Sequence, residues 1–230
     1  IKKQNKYIAS CVVNLLLTSC VRQKYVVMDM VHHNPGEAMT ESKFLDPSFL
    51  KKNEYGAKVF FLFEAAQFGI DWKSFDPSLF PDTTEAGRWV AEKAEIIHKK
   101  YDAAKKEDLQ VYCMLDMLVL PSLLVEKHRT ELTNEQGKLD ISKPYTQLCI
   151  RELMKEMFET FPQLDGLVIR TGETYLHDAP YYVGNHPVQN GMYDHITLIN
   201  LLREEVCERR NKKLFYRTWD MGQLHSIPKY

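Results

Sequence analysis

The sequence has five cysteines, and none sits in a CxxC pair or beside histidines at ligand spacing. That removes the usual zinc pattern, and no metal or other cofactor is expected. No glycine-rich phosphate loop follows any apolar run, since "HHNPGE" and "RTGETY" are not GxGxxG. A GxSxG elbow is also absent, which argues against a serine hydrolase of that type. Neither sign of charge dominates: the net charge is -1, so nothing marks a nucleic-acid or anionic-membrane surface. No low-complexity tract or serine-rich linker divides the chain. Its 230 residues suffice for one large core or two small ones.

The first twenty residues differ from the rest. "IKKQNKYIASCVVNLLLTSC" starts lysine-rich, turns apolar, and ends in small residues at Cys20. The apolar part is shorter than the roughly 20 residues a membrane span needs, and it suits the apolar region of an export signal. Leu17-Thr18-Ser19-Cys20 is similar to a bacterial lipobox, in which cleavage before the cysteine leaves a lipid-bearing N-terminus. The expectation is a signal peptide over 1–19 and a lipoprotein anchored through Cys20, periplasmic or at the cell surface of a Gram-negative bacterium. The alternative is a buried first strand or helix. Cys113, Cys149 and Cys207 fall in apolar surroundings and read as core thiols.

Five apolar runs recur, each ending in a charge: "KYVVMD" to Asp29, "AKVFFLFE" to Glu64, "LQVYCMLD" to Asp116, "DGLVIR" to Arg170 and "KLFYR" to Arg217. Near-continuous apolar runs suit strands buried on both faces of a parallel sheet. Strands are expected near 24–30, 57–64, 109–116, 165–171 and 213–219, in sequential order. Helical spacing separates most of them. One helix follows a cap at Asp82 or Thr83, with Trp89, Val90, Ile97 and Tyr101 inward. A second opens at Ser142, with Leu148, Cys149, Leu153 and Met157 inward. A third starts near Asp194, with Ile196, Ile199, Leu202 and Val206 inward. The first crossover offers only a short helix at Asp46–Lys52.

"LVIRTGE" and "LFYRTWD" repeat an Arg-Thr step with an acid three residues after the arginine. That local equivalence, together with long polar loops after the strands, favours an α/β fold of the (β/α)8 kind over an open doubly wound sheet. A full barrel has eight strands, so about five of eight units are expected here, with 20–230 the N-terminal part of a barrel truncated at its C-terminus.

In that arrangement the strand-ending charges crowd one rim, and a concave cluster of charges is costly unless it serves binding or catalysis. Phe68, Trp72, Tyr175, Tyr181, Tyr182 and Trp219 supply aromatic surface nearby. Aromatic faces beside charged hydrogen-bonding groups suit a carbohydrate. "FPQLDGLVIRTGETY" resembles the fourth strand of TIM-barrel glycoside hydrolases, in particular the α-glucuronidase-like group among exported polysaccharide-degrading enzymes. The resemblance implies a carbohydrate-active hydrolase with Glu173 as general acid. It departs from the pattern in carrying Gly172-Glu173 where an Asn-Glu pair is usual. Candidate substrate-binding residues are Glu64, Asp116, Arg170, Tyr175, His177, Arg217, Trp219 and Asp220. Glu64, Asp116 and Asp220 are the candidate second carboxylates within the chain.

Other readings stay open. Glu173 could pair with Arg170 or Arg217 to hold the rim, and the two arginines could clamp a uronic-acid carboxylate or be structural. His32 and His33 are adjacent and point apart along a strand, which is wrong for a metal. His186 and His225 lie in loops without fixed spacing. A lipid-anchored, non-catalytic glycan-binding protein is the alternative function. A barrel enzyme acting on a phosphorylated substrate is a weaker rival.

Overall fold

The computed structural model describes residues 28–29, 43–61, 64–171, 174–176 and 178–217. Cys20, Glu173, His177, Trp219 and Asp220, and the expected signal peptide over 1–19, lie outside these residues. So do His32, His33 and His225.

A mixed α/β architecture results, and its sheet follows chain order. Strands β1 (Met28–Asp29), β2 (Ala57–Phe60), β3 (Gln110–Asp116), β5 (Leu164–Arg170) and β7 (Lys213–Arg217) lie side by side in the order β1-β2-β3-β5-β7. Every neighbouring pair is parallel. Two further strands, β4 (Val119–Pro121) and β6 (Tyr182–Gly184), form a separate antiparallel pair that the sequence pattern did not disclose.

Helices connect the parallel strands. They are α1 (Pro47–Lys52), α2 (Glu85–Lys106), α3 (Ser122–Lys127), α4 (Arg129–Leu132), α5 (Pro144–Thr160) and α6 (Met192–Leu202), the last continuing as a π-helical turn over Arg203–Glu208. Asp46 caps α1, accepting from the Ser48 amide. Thr84, and not Asp82 or Thr83, caps α2: its hydroxyl accepts from the Gly87 amide at 3.0 Å. A Cβ on Gly87 would sit 2.1 Å from the Pro81 carbonyl oxygen, so the capping loop can fold this closely only over a glycine. Helix α5 starts at Pro144, with Lys143 as its cap; Ser142 instead turns back onto Asp140 Oδ1.

Strand alternation sorts the sheet into two faces. Val111, Cys113, Leu115, Leu167 and Ile169 join the large core beneath the helices, with Tyr101, Phe161 and Met157. Ala57, Val59, Phe61, Tyr112, Met114 and Val168 form a second, smaller core on the opposite face. Of the residues expected inward on the later helices, Cys149, Leu153, Met157, Leu202 and Val206 are buried, but two are exposed. Leu148 and Ile196 are 41% and 44% exposed, while Ile150, Met154 and Leu198 are buried. The second strand also stops earlier than expected. After Phe60 the chain turns, the Glu64 amide donates to the Phe61 carbonyl, and a 3-10 turn runs over Ala66–Gly69, so Glu64 does not end a strand.

Candidate functional site

The smaller core is built in rows across neighbouring strands. Register places Met114 beside Val168 and Val168 beside Phe215. Two residues further along, it places Asp116 beside Arg170 and Arg170 beside Arg217. These three charged residues therefore cap an apolar layer at the C-terminal ends of three adjacent parallel strands. Arg170 and Arg217, which open the two Arg-Thr steps, stand level, as the equivalence of their runs implies. Phe215 touches the Tyr112 ring edge-on at 5.3 Å, and Arg217 reaches the Met114 sulfur at 3.8 Å, which fixes both on this face.

Arg170 and Asp116 are 5% and 4% exposed, and they pair bidentately. Nε donates to Oδ1 at 2.5 Å and Nη2 to Oδ2 at 2.8 Å. The Tyr175 amide donates to the same Oδ2 at 2.9 Å. The guanidinium packs against two rings, its carbon 4.5 Å from the Tyr175 centroid and 5.0 Å from that of Phe61. Burial of an ion pair is tolerated when the pairing geometry is good and further hydrogen bonds are made, as the bidentate contact and the Tyr175 amide provide here. Asp116 thus ties two strands and the following loop together, and Tyr175 is held over Arg170 by its own backbone and ring.

Glu64 is placed differently. Its carboxylate pairs with Lys100 on α2, and its carbonyl accepts from the Tyr101 hydroxyl at 2.9 Å. It faces the helix layer, apart from the Asp116–Arg170 row.

Behind the row, Thr171 accepts from the Tyr216 hydroxyl at 3.4 Å, and His195 Nδ1 lies 3.5 Å from that hydroxyl. Burial pushes the Tyr216 phenol up to about 12, against the hydrogen bond to Thr171. Burial also lowers His195, and it lowers His186, on which the neighbouring His195 acts in the same direction. The His186 ring accepts from the Val188 amide at 3.0 Å, so its Nδ1 carries no proton there. The sequence points to His186 only as a loop histidine without fixed spacing, and it does not point to His195 or Tyr216, which carry no spacing signal.

The aromatics expected as a sugar platform divide. Phe68, Trp72 and Tyr182 are core residues, 5%, 0% and 5% exposed. Tyr175 and Tyr181 remain partly exposed. Strands β4 and β6 hold the loops after β3 and β5 together. Asn185 extends this link, exchanging backbone hydrogen bonds with Leu118 and side-chain hydrogen bonds with Leu139. Among the described residues no cluster of three or more potential metal ligands occurs, and no helix is long and apolar enough to cross a membrane.

No family model and no curated protein matches this chain. A solved structure of a noncanonic maltogenic alpha-amylase from Thermotoga neapolitana is similar at 14% identity with a TM-score of 0.42, over 74% of this chain and 39% of the amylase chain. This chain therefore spans about two fifths of that protein's length. A likeness so distant fixes no activity.

Proposed function

We propose that the chain carries part of a carbohydrate-active hydrolase site, at the strand C-terminal mouth of a partial (β/α)8 barrel. The observation behind this reading is the in-register row Asp116–Arg170–Arg217 on the inner face of a sequentially ordered parallel sheet, roofed by Tyr175. In barrels of this kind function gathers at that end of the strands. Glu173, three residues beyond Arg170, is the proposed general acid. Tyr175 offers a ring to a sugar's CH face, Arg217 offers donors to its oxygens, and His177, Trp219 and Asp220 complete the proposed binding set.

The ion pairs narrow the proposed chemistry. Asp116 already neutralises Arg170, and Glu64 already neutralises Lys100. Of the three candidate partners for Glu173, Asp220 is therefore favoured. Retaining or inverting chemistry would need the two carboxyl groups about 5–5.5 Å or roughly 6.5–9.5 Å apart. An α-glucuronidase-like specificity, with an arginine holding a uronic-acid carboxylate, is the finer form of the proposal, and Arg217 is the arginine suited to it. Export as a Cys20-anchored lipoprotein belongs to the same proposal.

Commitment of Asp116 and Glu64 to cations favours a second reading, a lipid-anchored glycan-binding protein without turnover. Glu173→Gln separates the two. In the full-length protein, hydrolysis of uronic-acid-containing oligosaccharides should fall at least about a hundredfold if Glu173 is the acid. Retained sugar affinity with no hydrolysis by either protein would leave the binding reading.

A further inference from the structure

A second concavity lies among the loops at the same end of the sheet. It is a cleft of about 340 Å³ between three segments: residues 78–86 leading into α2, helix α3, and Pro180–Tyr181 ahead of β6. Its apolar lining includes Tyr181, Pro180, Pro81, Leu79 and Phe80. The Tyr181 ring is braced edge-on by Trp89, centroids 5.7 Å apart. Helix α3 adjoins this lining, the Ser122 amide donating to the Tyr181 carbonyl at 2.8 Å, and presents Ser122, Leu123 and Glu126. Ser122 and Glu126 are four residues apart and so share one face of that helix. Neither the Ser122 hydroxyl nor the Glu126 carboxylate has a side-chain partner among the described residues.

We infer that this cleft is a binding site for a neutral sugar unit, separate from the strand-end row. An anion is disfavoured, because no lysine or arginine lines the cleft and Glu126 does. Glu85, beside Tyr181, adds a second negative charge that Arg88 partly offsets; burial first, and then Glu85, raises the Tyr181 phenol, while Arg88 lowers it. A wholly apolar ligand is disfavoured too, since it would cover Ser122 and Glu126 without returning hydrogen bonds. What fits is a ligand with one flat CH face for the Tyr181 and proline lining and several hydroxyl donors for Glu126 and Ser122. A pyranose ring has both. The volume is near the lower end for small-molecule sites and suits one or two such rings. The cleft's own chemistry selects this ligand, independently of what the strand ends bind.

Cellobiose and maltose are suitable probes, read by saturation-transfer NMR and titration calorimetry on the full chain. Leu123 is 40% exposed, so Leu123→Arg can block the cleft without disturbing the core. It should weaken binding of at least one disaccharide by about tenfold or more. Glu126→Ala should weaken it in the same direction, and Lys99→Ala, on the exposed face of α2, should leave it unchanged. Binding unchanged by Leu123→Arg, binding wholly removed by Arg217→Ala, or no binding of either sugar by the unaltered protein overturns the inference. Loss on Arg217→Ala alone would move the sugar to the strand ends, and so would leave the proposed function standing.

Discussion

Arg170 and Asp116 face each other in register across β5 and β3, and two hydrogen bonds of 2.5 and 2.8 Å lock the guanidinium to the carboxylate. They are 54 residues apart in the chain, and both are almost wholly buried. A pair so placed organises the mouth of the sheet, because the carboxylate also holds the Tyr175 amide.

Removing one partner strands the other charge. Asp116→Ala should lower unfolding stability by about 3–5 kcal/mol, whereas replacing both residues with apolar groups of similar size should restore much of it. A double-mutant cycle in urea measures this. A loss in the double variant equal to the sum of the two single losses would show that the pair is not coupled.

Gly166 sits where β5 runs closest to β7. A Cβ there would lie 2.1 Å from the Lys213 carbonyl oxygen, a backbone atom that cannot swing aside. Gly166→Ala should therefore cost about 1–3 kcal/mol and displace β7, with its Arg217. Amide exchange at Leu214–Arg217 should quicken more than exchange in β3.

Two histidines set an acid limit. His186 and His195 are both held below their ordinary value, chiefly by burial. The unfolded chain then binds more protons than the native one, so stability rises with pH through this range. Stability from these groups should be complete above about pH 6.5 and decline as pH falls below it. Melting temperature followed from pH 8 to pH 5 should drop in the native sequence and drop less in His186→Asn. Parallel profiles would assign the drop to other groups.

At stronger acid a further loss is expected from Asp76. Its carboxyl is lowered to about 2, first by the hydrogen bond from Lys127 and then by that from Ser78. A depressed carboxylate stabilises above its unfolded value near 4 and loses that contribution as pH falls toward 2. Asp76→Asn should flatten the acid-unfolding curve between about pH 4 and pH 2. An unchanged curve would mean the Lys127 contact contributes nothing in solution.

The export proposal is checked at Cys20. Cys20→Ser in a bacterial host should abolish lipid labelling and release soluble protein. Labelling that persists would place the lipid elsewhere.

The positions of β3 and β5 were legible because a strand buried on both faces must be apolar nearly throughout, which is a local property; β7 shows the same pattern although it is only partly buried at the sheet edge. The ends at Asp116, Arg170 and Arg217 follow from it, and so does the level placement of the two arginines, since both Arg-Thr steps close equivalent runs. Helix α2 was legible for a related reason: its inward residues recur at one spacing and its outward face is charged. Tertiary structure decided what local pattern leaves degenerate. Helices α5 and α6 carry apolar residues on more than one side, so the neighbours they meet, and not their periodicity, chose Ile150 and Leu198 over Leu148 and Ile196. Strands β4 and β6 are three residues each, too short for a period to show, and exist because each supplies the other's hydrogen bonds. Trp72 and Tyr182 look the same in sequence whether they face a ligand or a core, and packing put them inside. The partner of Asp116 was likewise undetermined until the sheet's register brought a residue from a distant strand beside it, because an ion pair is set by distance in space and not by separation along the chain.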